Sequence, residues 1–357
     1  MRSSRVVLLC VALLAGACSG ATDRESDSET TGSVSSPIVH GIDSPVAQDA
    51  VVLVMHYDAI QIGGAAAGCS GTLLTPRLVL TARHCVAVTD ASAGCDSAGN
   101  PVAGGVVRSD NVASKMFAFA GNQRPDFLSG LDKGARGTEI IDDASKTLCN
   151  HDLALILLDR ALPGVKIAPL RLDDGPHQNE VVTVVGFGVS DVASTPQTRQ
   201  ERRGVKVLAV GPGETLGPAE FRLGESGCAG DSGGPAIAES GAVLGVLSRG
   251  GNGSGAASGD VAGCIDAENV FTSVAKYKDL IRSAYVKAGQ DPWTEGQPDP
   301  TLPKAAPPPG PGGSSSGCVI GGVLVRGERS GSSHGWASTM LLAAVFLACA
   351  SRRRARS

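Results

Sequence analysis

Short apolar runs separated by turn residues fill the middle of the chain. They predict strands over 50–56, 71–74, 78–81, 106–107, 153–158, 181–187, 204–210, 236–238, 243–248 and 269–272. Helical spacing occurs mainly at the end of this region, where five apolar residues share one face: Val274, Tyr277, Leu280, Ile281 and Tyr285. Many short strands followed by one late helix indicate an all-β fold of the barrel type, with a C-terminal helix docked on the body.

The N-terminal end has a different pattern, which predicts export. Residues 1–18 combine a basic start, an apolar run over 6–14 that is too short to span a bilayer, and a small-residue segment that ends in Cys18. This segment resembles a bacterial lipobox in which Cys18 is lipidated, although Ala15 stands where leucine is usual. Ordinary signal cleavage around Ala17 is the alternative. Residues 19–37 are polar and acidic, which predicts a disordered tether or propeptide.

The C-terminal end predicts a linker followed by a sorting or membrane-anchor tail. Residues 290–317 are rich in Pro, Gly and Ser, as in semi-rigid linkers. Residues 318–357 begin with Cys318 and contain an apolar run over about 336–350 and a cluster of arginines. This layout resembles the tripartite sorting tails of myxobacterial surface proteins, and a plain membrane anchor is the alternative. We therefore expect a bacterial protein of the cell envelope or outer surface, or a secreted one, that reaches the membrane through its terminal signals.

The globular part over 38–289 must build its core from aliphatic residues. Hydrophobic residues make up 42% of the chain but aromatic residues only 3%, and 48 glycines favour strands and turns over helices. The formal net charge is −4, which speaks against a nucleic-acid partner.

Three segments carry candidate chemistry, and their order narrows the class of enzyme. Ser232 lies between glycines in the hexapeptide over 230–235, His84 follows an apolar run, and Asp152 begins another. A serine hydroxyl becomes a good nucleophile only when a base takes its proton. The pattern Gly-x-Ser-x-Gly also fits the nucleophile elbow of α/β-hydrolases, which would require a histidine after the serine. The only later histidine is His334, in the low-complexity tail, so the elbow interpretation fails.

Five segments together resemble the trypsin/chymotrypsin-like serine proteases. They are residues 38–41, 81–85, 151–155, 230–235 and 247–250, in the order and approximate spacing of that family, and they cover about 38–288. The resemblance implies two six-stranded antiparallel β-barrels with the site in the cleft between them. It also implies that Ser232 is the nucleophile, His84 the general base and Asp152 the residue that orients His84.

Further roles follow from the same resemblance. The N–H groups of Gly230 and Ser232 would form the oxyanion hole. After an activating protease cuts the chain, the new α-amino group of Ile38 would pair with Asp231. This cut would fall after Pro37, a bond that few proteases cleave.

The specificity pocket is also implied by the resemblance, through Ser226, Ser248, Gly250 and Asn269. Ser226 is not acidic and Asn269 would shorten the pocket, so we expect small or medium uncharged residues before the cleaved bond. Ser248 would also support Asp152. Glu225 could turn inward and restore a preference for basic residues. Arg249 could favour acidic substrates or be a solvated side chain.

Six cysteines remain in the globular part, and an even number in an exported domain indicates disulfides. Six cysteines allow fifteen pairings. The resemblance implies Cys69–Cys85 and Cys228–Cys264, which leaves Cys95 and Cys149 as the third pair. The sequence lacks the close Cys spacing of zinc sites and the pattern of a calcium loop, so we expect no metal and no cofactor.

The sequence thus predicts a serine endopeptidase that acts on proteins or peptides through an acyl-enzyme intermediate. The alternative is a non-catalytic or permanently zymogen-like surface binding module on the same fold. The order of the catalytic residues disfavours an esterase.

Overall fold

A computed structural model describes residues 38–58, 68–126, 130–190, 197–256 and 260–303. The predicted signal peptide, tether and tail, with Cys18 and Cys318, lie outside these residues. Within the described part, no helix is long and apolar enough to cross a membrane.

The described chain is built mainly of short antiparallel strands. The strands are β1 (Ile42–Asp43), β2 (Val51–His56), β3 (Cys69–Thr75), β4 (Leu78–Thr81), β5 (Ala87–Thr89), β6 (Ala93–Cys95), β7 (Pro101–Gly104), β8 (Val107–Asp110), β9 (Met116–Phe119), β10 (Ala135–Ile141), β11 (Ala154–Leu158), β12 (Val181–Gly186), β13 (Gln200–Val210), β14 (Glu220–Leu223), β15 (Pro235–Ala238), β16 (Val243–Gly251) and β17 (Glu268–Ser273). A 3-10 turn over Val274–Tyr277 leads into the helix α1 (Lys278–Ala288).

Two closed six-stranded barrels account for most of these strands, as the sequence predicted. The first has the strand order β10-β11-β4-β3-β2-β9. The second has the order β13-β12-β15-β16-β17-β14 and closes through the pairing of β13 with β14. The short strand β1 adds to the outside of the second barrel by pairing with β13, so the N-terminal segment crosses from one barrel to the other.

The first barrel shows why its strands appear in the sequence as unbroken apolar runs. Side chains alternate across a strand, so each strand has two faces. In β4, Val79 points into the barrel, whereas Leu78 and Leu80 join a second cluster with Val243 and Val246 of the other barrel. Both faces are therefore buried, and each fully buried aliphatic side chain contributes about 1.5–3 kcal/mol.

The helix α1 closes the cluster between the barrels. Ile281 and Tyr285 are fully buried in it, on the face that the sequence predicted. The left-handed Gly289 ends the helix, and its N–H donates to the carbonyl of Val286.

The packed body extends beyond residue 289, where the sequence predicted a linker. Trp293 packs against the core of the first barrel, and its carbonyl accepts a hydrogen bond from Leu170 N–H at 3.0 Å. Glu295 binds the guanidinium of Arg171 through both carboxylate oxygens, at 2.6 and 2.9 Å. A Pro/Gly/Ser-rich composition therefore did not reveal that the first part of this segment is anchored by an aromatic side chain and an ion pair.

Candidate active site

The pairing of β4 with β11 brings His84 and Asp152 together. The two strands are antiparallel, and Thr81 at the end of β4 lies opposite Ala154 at the start of β11. The chain that leaves β4 and the chain that enters β11 therefore lie side by side. His84 follows Thr81 by three residues, in a 3-10 turn, and Asp152 precedes Ala154 by two.

Hydrogen bonds fix the geometry of this pair. His84 Nδ1 lies 2.8 Å from Asp152 Oδ2, and the backbone N–H of His84 donates to Oδ1 at 2.9 Å. Ser248 Oγ donates to Oδ2 at 2.7 Å. Asp152 is fully buried, whereas 21% of the His84 side chain is exposed toward the cleft. An Nδ1–H held by Asp152 leaves His84 Nε2 free to accept a proton.

The charges of His84 and Asp152 stabilise each other, as the direction of each pKa shift shows. Burial alone would lower the pKa of His84, but the charge of Asp152 and its hydrogen bond outweigh burial, so the pKa is raised. Burial alone would raise the pKa of Asp152, but the charge of His84 and the hydrogen bonds from His84 and Ser248 outweigh it, so this pKa is lowered. The pair is therefore electrostatically suited to a charged imidazolium.

Ser232 lies in the loop before β15, and contacts with both barrels hold this loop. Its carbonyl accepts a hydrogen bond from Ser70 N–H of β3 at 2.8 Å. The next residue, Gly233, donates to the carbonyl of Leu247 in β16 at 2.8 Å. Ser232, His84 and Asp152 line one cleft with a volume of about 1030 Å³. The structure thus gathers the three predicted residues in one cleft, from elements far apart in the chain.

Two glycines allow the tight course of this loop. Gly230 has φ of 98°, and Gly233 has φ of 77°, both in the left-handed region. A Cβ on Gly233 would lie 2.2 Å from Thr81 Oγ1. The Gly230 carbonyl accepts from Ser70 Oγ at 3.0 Å, which holds the peptide between the two predicted oxyanion donors.

Asp231 is buried beneath this loop. Its two carboxylate oxygens accept from the backbone N–H groups of Gly188 at 2.7 Å and Cys228 at 3.0 Å. Burial raises the pKa of Asp231 to about 7, although these hydrogen bonds and the charge of Arg124 act in the opposite direction. Ile38 is also fully buried. Its peptide bond to Pro37 leaves its nitrogen uncharged in the uncut chain.

The residues predicted for the specificity pocket lie close together. Gly250 and Asn269 are opposite each other on β16 and β17. In the amide orientation that satisfies its neighbours, Asn269 donates to the carbonyl of Gly227 and accepts from Ser226 N–H, both at 3.2 Å. A Cβ on Gly250 would lie 2.3 Å from the Asn269 side chain, so this amide lies directly against the Gly250 backbone. Ser226 itself is fully buried. Ser248, the fourth predicted residue, bonds Asp152 and lines the cleft.

Glu225 does not turn toward this pocket. Its carboxylate accepts from His40 Nδ1 at 2.7 Å and also from Arg202 and from the backbone of Asp266. These partners occupy both oxygens of the carboxylate. The basic specificity that an inward Glu225 would have provided therefore has no support in the structure.

Two arginines next to the site, Arg249 and Arg83, were not predicted to pair with acids. Arg249 forms an ion pair with the fully buried Glu220, so it is neither a solvated side chain nor a free cation. Arg83 is 1% exposed and donates to Asp110, which ties the His84 turn to β8. In sequence, a lone arginine does not show which distant acid it will pair with, so only the folded structure identifies these two pairs.

Three disulfides link the six cysteines of the described chain, in the pairs Cys69–Cys85, Cys95–Cys149 and Cys228–Cys264. The first joins β3 to the turn that carries His84. Cys69, His84 and Cys85 lie close enough to resemble a metal cluster. Because the two cysteines are joined in a disulfide, they offer no thiolate to a metal ion.

Comparison with known proteins identifies the family of the chain. A solved structure of neuropsin, a serine protease expressed in the limbic system of mouse brain, is similar to this chain with a TM-score of 0.49 and 20% identity, over 69% of this chain and 99% of that one. No curated protein matched the sequence. The family described as Trypsin matches residues 54–281, which is more than half of the chain. The chain therefore belongs to the trypsin family of serine peptidases.

Proposed function

We propose that the protein is a serine endopeptidase in which Ser232, His84 and Asp152 form the catalytic triad. One observation carries the proposal: Ser248, Asp152 and His84 form a continuous hydrogen-bonded chain that ends at the cleft lined by Ser232. A buried carboxylate that accepts several hydrogen bonds and orients an imidazole is the arrangement that a general base requires.

The reaction follows from these positions. Ser232 Oγ attacks the carbonyl carbon of the peptide bond, and its proton moves to His84 Nε2. Asp152 stabilises the imidazolium, and the N–H groups of Gly230 and Ser232 bind the oxyanion. Collapse of the intermediate breaks the C–N bond while His84 gives its proton to the leaving amine. Water then attacks the acyl-enzyme while His84 takes one of its protons. His84 gives this proton to Ser232 Oγ as the acyl C–O bond breaks, which releases the carboxylic acid product and restores the free serine.

The pocket favours small or medium uncharged side chains before the cleaved bond. Ser226 brings no negative charge to the base of the pocket, and the Asn269 amide fills space beside Gly250. A pocket that lacks an acid gives no ion pair to an incoming Arg or Lys. The substrates are therefore proteins or peptides cut after residues such as Ala, Val or Thr.

Activation follows from the burial of Ile38 and Asp231. A cut after Pro37 by an activating protease would turn the Ile38 nitrogen into an ammonium group. An opposite charge lowers the pKa of a buried carboxylate and favours its ionised form. The Ile38–Asp231 ion pair would thereby stabilise the loop that carries Gly230 and Ser232.

We also propose that the mature enzyme is exported, and is either held at the bacterial cell envelope or outer surface or secreted. The basic and apolar start, the lipobox-like Cys18 and the sorting-like segment after Cys318 support this location. Three disulfides in the described body fit an oxidising compartment.

Labelling with a fluorophosphonate tests the catalytic proposal. We expect the full chain, after cleavage before Ile38 at an engineered protease site, to react at Ser232 and to hydrolyse peptide esters and amides. The Ser232→Ala variant should show neither reaction. The matched control is Ser240→Ala, because Ser240 is an exposed serine outside the cleft that bonds Glu295. If correctly cleaved, folded protein shows no labelling at Ser232, the surface binding module is the better interpretation.

A further inference from the structure

Arg124 reaches the loop that surrounds Ser232 from a separate part of the chain. It lies between β9 and β10, and its backbone N–H donates to the carbonyl of Gln197 at 2.8 Å. Its guanidinium donates to the carbonyl of Phe187, just after β12. A Cβ on Gly68 would lie 3.6 Å from the same guanidinium, which places Arg124 beside the start of β3.

The peptide unit between Phe187 and Gly188 is held at both ends. Arg124 binds its carbonyl oxygen, and Asp231 Oδ1 accepts from its N–H at 2.7 Å. Phe187 N–H in turn donates to Ser70 Oγ at 2.9 Å, and Ser70 Oγ donates to the carbonyl of Gly230 at 3.0 Å. Arg124 and Asp231 are therefore joined through this one peptide unit. The N–H of the preceding peptide is linked through Ser70 Oγ to the loop of the predicted oxyanion donors.

The charges of the two side chains interact as well. Burial lowers the pKa of Arg124, and the negative charge of Asp231 opposes that effect. The positive charge of Arg124 likewise acts against the rise in the pKa of Asp231. A guanidinium remains charged at every pH at which proteins are studied. The buried carboxylate thus has a permanent cation nearby even when Ile38 is still bonded to Pro37.

We propose that Arg124 is a positioning residue that holds the Asp231 loop in its competent form in the uncut chain, so that the protein is active before any cleavage at Ile38. This inference rests on the proposed peptidase function. It also explains why proline is tolerated before Ile38. If Arg124 supplies the positive charge near Asp231, the enzyme does not depend on a protease able to cut after proline. The uncut chain then has a basal activity, and cleavage before Ile38 increases that activity.

The first test measures fluorophosphonate labelling of the full uncut chain, with its N-terminus checked by sequencing. The native chain should label at Ser232, and Arg124→Gln should lower the rate by on the order of 100-fold, the effect of losing one oxyanion-hole donor. In the chain cut before Ile38, the same substitution should change the rate by less than about fivefold, because the new ammonium group supplies the charge. Arg77→Gln is the matched control, since Arg77 also binds one carbonyl oxygen, that of Leu158, but lies in the first barrel away from Asp231.

The second test uses pH and does not depend on the stability of the Gln variant. Labelling of the native uncut chain should persist to about pH 10.5. Arg124→Lys should label at neutral pH and lose its rate as pH rises through about 10, because an ammonium group with an ordinary pKa near 10.4 then becomes neutral. The other charged groups around the Ile38–Val39 segment are Arg202, which donates to the carbonyl of Val39, and Glu225 and His40. These groups are present in both proteins, so any difference between the pH profiles of the native chain and Arg124→Lys is caused by residue 124.

The outcomes separate this inference from the proposed function. If the uncut chain is inert while the cut chain labels at Ser232, the role of Arg124 is wrong and the peptidase proposal stands. An uncut Arg124→Gln chain that labels as fast as the native one also overturns the inference. If both the cut and uncut chains are inert, the peptidase proposal itself fails.

Discussion

Arg249 and Glu220 form a bidentate ion pair beside the cleft. Arg249 Nη1 lies 2.6 Å from Glu220 Oε1, and Nη2 lies 2.9 Å from Oε2. The Glu220 carboxylate is fully buried and also accepts from the backbone N–H groups of Asn150 at 3.0 Å and Gly217 at 2.9 Å. Asn150 lies two residues before Asp152. The pair therefore links the cleft-lining strand β16 to β14 and to the turn that carries the predicted triad aspartate.

Replacing Arg249 by alanine should destabilise the protein strongly. The substitution leaves Glu220 buried without its cation, and breaking a buried ion pair in this way costs about 3–5 kcal/mol. Denaturant unfolding of Arg249→Ala should show a loss of that size. The double variant Arg249→Ala/Glu220→Gln should recover part of it, because the neutral amide can still bind one of the backbone N–H groups.

A more exposed ion pair between β14 and β17 provides the control for this prediction. Arg222 and Glu268 lie 2.9 Å apart, and the Glu268 side chain is 52% exposed. Exposed pairs contribute about 0–1 kcal/mol. Glu268→Ala should therefore change the free energy of unfolding by less than about 1 kcal/mol. Equal losses at the two sites would mean that the burial of Glu220 does not determine the strength of its pair.

The pH dependence of activity should follow His84. Catalysis needs the neutral imidazole, and the pKa of His84 is raised above 6.5 by the charge and hydrogen bond of Asp152. The acidic limb of kcat/KM should therefore lie above pH 6.5, and activity should rise as pH rises through it. Asp152→Asn should move this limb to lower pH and reduce kcat by about 10⁴-fold.

The same pKa shift has an opposite consequence for stability. A histidine whose pKa is higher in the folded state binds its proton more tightly there, so the folded state is favoured when His84 is protonated. This contribution is complete below about pH 6.5 and is lost as pH rises through the folded-state pKa. Thermal unfolding of the native chain and of His84→Ala from pH 5 to 9 tests this. A difference between them that is constant over the range would contradict the assigned shift.

The sequence predicted the strands around the proposed triad because the apolar pattern of each strand lies within a few consecutive residues. Runs such as 78–81 and 153–158 are buried on both faces, which gives a continuous apolar pattern ending at His84 or beginning near Asp152. It did not predict β10 (Ala135–Ile141) or β14 (Glu220–Leu223), because charged residues interrupt their apolar positions. Those charged residues include Glu220, whose burial depends on an arginine 29 positions away.

The arginines that form ion pairs or hydrogen bonds around the site could not be predicted, because their partners are distant in sequence. Arg124, Arg249 and Arg83 each act through a partner that only the closed barrels bring near. A lone arginine in a sequence is most often exposed. Arg83 and Arg249 lie within the matched segments 81–85 and 247–250, but the resemblance assigned neither of them an acidic partner. Arg124 lies outside all five matched segments.

Removal of the Cys95–Cys149 disulfide should destabilise the first barrel. The disulfide closes a loop of 54 residues that includes the β6–β7 hairpin on the wall of the cleft. The loss of chain entropy in the unfolded state for a loop of this length corresponds to about 4 kcal/mol. The double variant Cys95→Ser/Cys149→Ser should lose stability of that order while Ser232 still reacts with a fluorophosphonate in the folded protein. Loss of labelling without loss of folding would show that the hairpin helps to form the site itself.

Substitution of Asn269 should change the side chain that the enzyme prefers before the cleaved bond. The Asn269 amide contacts Gly250 and the backbone of Ser226 and Gly227, where it would take up depth in the proposed specificity pocket. Asn269→Gly removes this amide, so larger uncharged residues such as Leu or Phe should gain in kcat/KM relative to Ala. One methylene in an apolar pocket changes discrimination by about 1–3 kcal/mol, so a gain of tenfold or more is expected.

A charge placed at the base of the same pocket provides the complementary test. Ser226→Asp puts a carboxylate where the native side chain is neutral and fully buried, so it should cost stability and add preference for Arg and Lys. The measurement is a peptide panel varied at the residue before the cleaved bond, run on the native enzyme and both variants. The native enzyme should cut after small uncharged residues. A native preference for Arg would require an acid other than residue 226 in the pocket. Glu225 is held by His40 and Arg202, so it does not supply that acid. Such a preference would therefore overturn the assignment of the pocket to Ser226, Gly250 and Asn269.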